Sequence, residues 1–268
     1  MTTSSYIHPS AFVAETAVLG NNCSIGRNVI IEDGVQLGDD CKISDQVIIR
    51  SGTCIGNACE IYPYSVIGEV PQDRSFQGEV SGVEIGDRTI LREFTTVHRG
   101  TGAGKNTCIG SDSYLMTYAH IGHNAVIGDH VTLANSVQIA GHVIIEDHVT
   151  IGGLSAIHQN CRVGAYAMVG GMTAASKDLP PYLMYMETPA IAWAPNRHGL
   201  KKANFPKHEL NAIFEAFKII YHSKSSIASI LAALDEAQVR HGDSKCIEHM
   251  ISFIRSSKRG IKLARHKS

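Results

Sequence analysis

Fourteen histidines stand in a chain of 268 residues. Histidine titrates nearest neutral pH, so it moves protons readily and binds metals through a neutral imidazole. Three stretches carry it at related spacing: Gly122-His123-Asn124, Ala140-Gly141-His142 and His158-Gln159-Asn160. Their separations lie close to 18. If 18 residues make one coil, residues that far apart lie above one another, about 4.8 Å between stacked strands. His123, His142 and His158 are then expected in one narrow column from three adjacent coils, with His120 three residues before His123. Two chemistries suit such a cluster. One is general-base catalysis. The other is a metal held by three imidazoles with an open position. A single corner histidine is more often incidental; three in a column argue for a site. His130 and His148 are also 18 apart but lack polar company, and are expected to be structural.

The elements that must position these residues are written in a period of six. Every sixth residue from Ile7 through Ile67 is Ile, Leu or Val. The count resumes at Ile85, Leu91 and Val97, then runs from Ile109 to Val169 without exception. The next residue is often Gly, and the residue two before is small or β-branched. Six matches neither the helical period of 3.6 nor strand alternation at 2. It matches a short strand plus a tight corner. Three sides close an 18-residue triangular coil with one inward aliphatic per side, and coils stack by parallel pairing. A mainly β fold follows, a parallel β-helix, with glycine expected to supply corner conformations. Cys23, Cys41, Cys59 and Cys161 take the small-residue position and are expected to be buried fillers.

Two interruptions, near 68–84 and 99–108, read as loops thrown out from the solenoid, a common place for binding function. The second is Gly-rich but lacks the spacing of a phosphate-binding loop. The solenoid is expected over 1–178. Pro180, Pro181 and Pro189 predict a linker over 179–198. Helical spacing then takes over in three apolar sets, around Leu210–Tyr221, Ile227–Leu234 and Ile247–Ile254. A small α-helical domain is expected over 199–268, ending in a basic tail with Lys258, Arg259, Lys262, Arg265 and Lys267.

Composition narrows the class further. The chain is 44% apolar and 18% charged, which excludes an intrinsically disordered protein. No run approaches 18 apolar residues, so no transmembrane segment is expected. The start lacks a signal-peptide pattern. The seven cysteines form no CxxC pair, so neither a disulfide framework nor a zinc ribbon is indicated. A cytoplasmic protein is the expectation. Net charge is −1, but residues 1–194 hold 10 Lys/Arg against 19 Asp/Glu, and residues 195–268 hold 14 against 6. Such a basic segment attracts an acidic partner. No nucleic-acid module is present, so nucleic acid is not expected.

Several segments carry a closer likeness. Ile67-Gly68-Glu69-Val70-Pro71-Gln72-Asp73, Val83–Arg88, Val97-His98-Arg99-Gly100-Thr101, Ala119–His123, Ala140–His142, Ile157–Gln159 and Gly199-Leu200-Lys201-Lys202 resemble the acyl-carrier-protein–UDP-N-acetylglucosamine O-acyltransferases of lipid A synthesis. The resemblance runs from about residue 7 to 260. It implies a left-handed β-helix, a homotrimer with sites between adjacent solenoids, and no cofactor or metal. It implies transfer of a (3R)-3-hydroxyacyl chain from acyl carrier protein to the 3-hydroxyl of UDP-N-acetylglucosamine. By the same resemblance His123 is the general base and the Gly141 N–H stabilises the oxyanion. His142 and Gln159 hold substrates. His98, His120 and His158 belong to the substrate site. Asp73 binds the glucosamine portion, Asn196 and Lys202 contact the nucleotide side, and Gly171 leaves room for a long acyl chain. The acidic carrier protein is the expected partner of the basic segment, with Arg197, Lys201, Lys202 and Lys207 foremost.

The chain departs from the family pattern in places. Asn124 follows His123 where the family commonly has Asp. Ser75 replaces a lysine, His198 a glutamate and Ala203 an arginine. An amide can orient an imidazole but cannot stabilise an imidazolium by charge. Two other readings stay open at this point: a related solenoid acyltransferase that N-acylates an amino-sugar nucleotide, and a metal-binding solenoid.

Overall fold

The computed structural model describes residues 5–222, 225–242 and 244–263. Two-residue strands recur every six residues. Among the described residues they form sheets of eleven, nine and eight strands, parallel except for the last strand of the eleven-stranded sheet, the three faces of a left-handed prism. Parallel neighbours in each sheet are 18 residues apart except across the inserts and at the last parallel strand, where Val169 pairs with Tyr185; Leu115, for example, pairs with Leu133 and, across the second insert, with Leu91. From Ile25 to Val169 every aliphatic of the repeat is buried. Ile7 is 43% exposed because no coil lies beneath it. Cys23, Cys41 and Cys59 are buried as expected, and each thiol donates to a carbonyl of the next coil at 3.1–3.2 Å.

The corner glycines differ from expectation. The left-handed corner residue is the third after each aliphatic, and most such positions are not glycine: Asn124, His142 and Asn160 have φ of 58°, 58° and 62°. The glycine directly after the aliphatic serves another purpose. A Cβ there would meet the next coil: at Gly122 it would lie 2.8 Å from the Gly141 nitrogen, and at Gly128 2.3 Å from Asp147 Oδ1. Close coil stacking, not backbone freedom, accounts for glycine where it stands there, while Ala140 and His158 at the same position show that other coils admit a Cβ. Side chains at the left-handed corners stack in ladders. One is Tyr64, Phe94 and Tyr118; another is His130, His148 and Tyr166, with the two imidazoles 4.7 Å apart and nearly parallel. His130 and His148 thus have the structural setting expected.

The inserts leave the prism as loops between strands ending at Glu69 and beginning at Gly82, and between His98 and Asn106. They grip each other: Gly102 N donates to Glu79 Oε1 at 2.6 Å, and Gly104 N to the Val80 carbonyl at 2.8 Å.

Residues 179–198 are not a plain linker. Leu183–Met186 extends the eleven-stranded sheet, and Ile191–Pro195 pairs with it antiparallel. Buried Leu183 and Tyr185 continue the core, so the prolines bend the chain without ending the sheet. Among the described residues four helices follow: α1 (Arg197–Lys202), α2 (Lys207–Tyr221), α3 (Ile227–Arg240) and α4 (Lys245–Arg255). The last three match the apolar sets read from sequence. α4 docks on the solenoid through His249, whose Nε2 lies 2.9 Å from Glu146 Oε2 and whose Nδ1 lies 2.8 Å from the Tyr182 hydroxyl. Arg162 stacks on Phe253 at 4.2 Å. Arg265 and Lys267 of the expected basic tail lie outside the described residues.

The inward ladder sets a stability contrast. Leu115→Ala, inside the stack, is expected to destabilise by about 2–5 kcal/mol. Ile7→Ala is expected to lower stability by less than about 1 kcal/mol. Urea unfolding of the two variants checks this, and equal losses would contradict the stacking argument.

Candidate active site

Three coil positions at one corner hold the histidines. Gly122, Ala140 and His158 share one position; His123, Gly141 and Gln159 the next; Asn124, His142 and Asn160 the left-handed one. The three histidines of the expected column therefore occupy neighbouring positions around a corner rather than one vertical line. His123 and His142 still meet, edge to face with ring centroids 5.1 Å apart. His158 lies to the other side, its Nδ1 3.4 Å from Arg259. His98 and His120 form a second edge-to-face pair at 4.8 Å. His120 comes from the strand His120–Ile121, which pairs with Thr96–His98, and its Nδ1 lies 2.8 Å from the Thr96 hydroxyl. Among the described residues no group of three or more His, Cys, Asp or Glu is arranged to hold a metal ion.

His98, His120, His123, His158 and Gln159 line one cavity of about 610 Å³. Gln72 of the first insert closes one side. Ala140, Ala156, Ala174 and Ala175 make a smooth apolar wall along the solenoid face, and Thr188 and Pro189 close the far end. The cavity is a groove lined by histidines, by Gln138, Gln159 and Ser176, and by a run of small apolar residues.

His123 is nearly buried, and Asp73 Oδ2 lies 3.8 Å from its Nε2. Asp73 is set by Ser75, whose N–H and hydroxyl both donate to Oδ1 at 2.9 Å. Those bonds, and then the nearby histidines, hold the Asp73 carboxyl below its usual range. Ser75 thus turns the departure from lysine into an internal brace. On the other ring edge, Nδ1 of His123 lies 2.9 Å from Asn124 Oδ1 and 3.2 Å from the Thr101 hydroxyl. A Cβ on Gly141 would stand 2.5 Å from His123 Nε2, so only glycine lets the imidazole lie over this backbone.

In several coils at another corner the main-chain N–H of the matching residue is capped by the next coil, as Asn21 N is by Asp39 and Ser111 N by Asp129. Gly141 N–H donates no hydrogen bond among the described residues. A free donor beside a histidine can meet a developing oxyanion.

Burial and charge set the remaining titrations. Burial drives the His120 imidazole down to about 4, with His98 and His123 adding to it. Burial also lowers His98. His142 is lowered by burial and by His123, against a smaller pull from Asp73.

Asn196, Lys202 and Gly171 do not line this cavity. Asn196 caps α1: its Oδ1 accepts from Gly199 N at 3.1 Å, and its Nδ2 donates to the Tyr166 carbonyl at 2.8 Å. Lys202 ends the same helix, His198 is exposed on it, and Ala203 is its C-cap. Gly171 sits at another corner, beside Met172, which is 74% exposed. Arg197, Lys201 and Lys207 rim a second groove floored by Phe205, Leu210 and Phe214. Sequence reasoning passed over Thr101, Glu79 and the alanine wall. Thr101 lay within a recognised motif, but its contact with Asn124 depends on how the second insert folds back.

His120 yields a pH prediction. Its folded pKa lies below its ordinary 6.5, so between about 6.5 and 4 the folded state binds fewer protons than the unfolded one. Stability must fall as pH falls through that window. Urea midpoints from pH 7 to 4 are expected to drop less in His120→Gln than in wild type; parallel curves would contradict the burial argument.

The comparisons with known proteins agree with this geometry. A family model described as UDP N-acetylglucosamine O-acyltransferase, domain 2, matches residues 178–262. Models of hexapeptide repeats match residues 106–141 and 17–51. The acyl-[acyl-carrier-protein]–UDP-N-acetylglucosamine O-acyltransferase of Sulfurihydrogenibium sp. (strain YO3AOP1) is 53% identical, over 95% of this chain and 93% of that relative. That of Saccharophagus degradans is 37% identical, over 96% and 98%. The solved UDP-N-acetylglucosamine acyltransferase of Bacteroides fragilis superposes with a TM-score of 0.92 at 37% identity, covering 96% of this chain and all of that one. The Francisella novicida enzyme gives 0.93 at 32%, over 98% and 95%. At this identity and coverage, the chain belongs to the acyl-[acyl-carrier-protein]–UDP-N-acetylglucosamine O-acyltransferase family.

Proposed function

We propose that His123 is the general base of the acyl transfer this family performs, and that the alanine-walled groove takes the acyl chain. The chain is an acyltransferase of lipid A biosynthesis. It moves a (3R)-3-hydroxyacyl chain from acyl carrier protein to the 3-hydroxyl of UDP-N-acetylglucosamine. The observation that carries the assignment of roles is the ring of His123 lying over Gly141, with Asp73 facing its Nε2.

The steps follow from that arrangement. Nε2 of His123 takes the proton of the sugar 3-hydroxyl. The oxygen attacks the thioester carbonyl carbon, and the carbonyl electrons move to oxygen. The Gly141 N–H stabilises that oxyanion. The tetrahedral intermediate collapses, the carbon–sulfur bond breaks, and the carrier's thiolate leaves with the proton from the imidazolium. The products are the 3-O-acyl sugar nucleotide and the free carrier thiol. Asp73 holds the glucosamine. His142, His158 and Gln159 hold the substrates, and neutral His98 and His120 hydrogen-bond without adding charge.

The nucleotide roles of Asn196 and Lys202, and the chain-length role of Gly171, belong to the same proposal. In a homotrimer a neighbouring subunit presents these residues to the cavity of the next. The basic groove around Arg197, Lys201 and Lys207 docks the acidic carrier protein. No helix of the described residues is long and apolar enough to cross a membrane. We place the reaction in the cytoplasm, where carrier protein and sugar nucleotide are both available.

Mass spectrometry of the product is the direct test. With UDP-N-acetylglucosamine and 3-hydroxyacyl carrier proteins, one ester at the sugar 3-oxygen is expected. His123→Ala is expected to lose 10²-fold or more in kcat with the assembly intact; retention of a tenth of the rate would remove His123 from the role. Gly171 leads to faster transfer of a fourteen-carbon than a ten-carbon chain. The opposite preference would overturn the chain-length assignment.

A further inference from the structure

We propose that Asn124 and the main chain of Thr101 are positioning residues that fix which nitrogen of His123 bears the proton. This rests on His123 acting as the base. The orientation of the Asn124 amide is set by the second insert. Thr101 N–H donates to Asn124 Oδ1 at 2.9 Å, and Asn124 Nδ2 donates to the Thr101 carbonyl at 3.0 Å. A main-chain N–H can only donate and a carbonyl can only accept, so the amide cannot be reversed. Its oxygen is therefore the atom 2.9 Å from His123 Nδ1. An acceptor oxygen must meet an N–H, so Nδ1 carries the hydrogen. Nε2 is left with its lone pair, facing Asp73 and the space over Gly141.

An amide, rather than a carboxylate, suits this corner. A carboxylate would set an oxygen against the Thr101 carbonyl and lose one arm of the clasp. The loop bearing Thr101 is itself tied to the first insert through Glu79. Both inserts thus act on the base, one through Asn124 and the other through Asp73. The titratable groups that face His123 are Asp73, His98, His120 and His142. Asn124 adds none, so the negative charge near the imidazolium comes from Asp73.

Asn124→Gly and Asn124→Asp test this in the full-length enzyme. Glycine keeps the left-handed corner, as it does at Gly34 with φ of 70°. In Asn124→Gly, kcat is expected to fall at least tenfold, with KM for both substrates within about threefold and the urea midpoint close to wild type. Asn124→Asp still accepts from Nδ1. It is expected to recover most of kcat and to move the acid limb of kcat/KM up by about one pH unit, because a nearby opposite charge favours the imidazolium. A wild-type kcat in Asn124→Gly, or an unmoved limb in Asn124→Asp, would overturn the proposal. Nitrogen-15 NMR of histidine-labelled enzyme reads the tautomer without turnover. A protonated Nδ1 and bare Nε2 at His123 above pH 8 support the clasp, and the reverse refutes it. An inactive wild type with that tautomer present would refute the proposed function and leave the clasp standing.

Discussion

Coils stacked by parallel strand pairing come so close at some corners that a Cβ on the glycine after the inward aliphatic would meet the next coil. At Gly122 that space is filled by the nitrogen of Gly141. At Gly141 the atom in the way is the imidazole of His123, a side chain from the coil before. The His123 imidazole therefore lies over the Gly141 backbone. Several coils at another corner cap the matching N–H with an aspartate, asparagine or serine from the next coil. Here the next coil offers Gln159, and the Gly141 N–H makes no hydrogen bond among the described residues.

Much of the fold was legible because its period is short and its core residue repeats. Six residues return an aliphatic to the interior, and nothing else explains Ile109 to Val169. The reason for the glycines was not legible. Sequence suggests backbone freedom, yet the left-handed positions hold Asn124, His142 and Leu154. Contact with the next coil decides the matter, and contact is visible only in three dimensions. The 179–198 segment shows the same limit. Proline marks a bend, but whether the chain beyond it pairs with a sheet depends on an open edge being present, and the coil ending at Val169 supplies one.

At the site, the coil count found the corner but not its fine order. His123 and His142 meet because one sits at the left-handed position of its coil and the other just before it. His158 lines the same cavity, with its Nδ1 3.4 Å from Arg259. The inserts break the period, so arithmetic could not place Asp73 or Thr101 against the base. Family resemblance named Asp73; only the folded loops show Ser75 bracing it and Thr101 holding Asn124. Departures from the family pattern thus acquire physical content as alternative braces.

The central claim is that Nε2 of His123 receives the sugar's 3-hydroxyl proton. A crystal structure with UDP-N-acetylglucosamine bound tests it most directly. The account requires the 3-oxygen within about 2.6–3.2 Å of Nε2, with the reacting face toward Gly141. A sugar seated with that oxygen turned from His123, nearer His142 or His158, would contradict it.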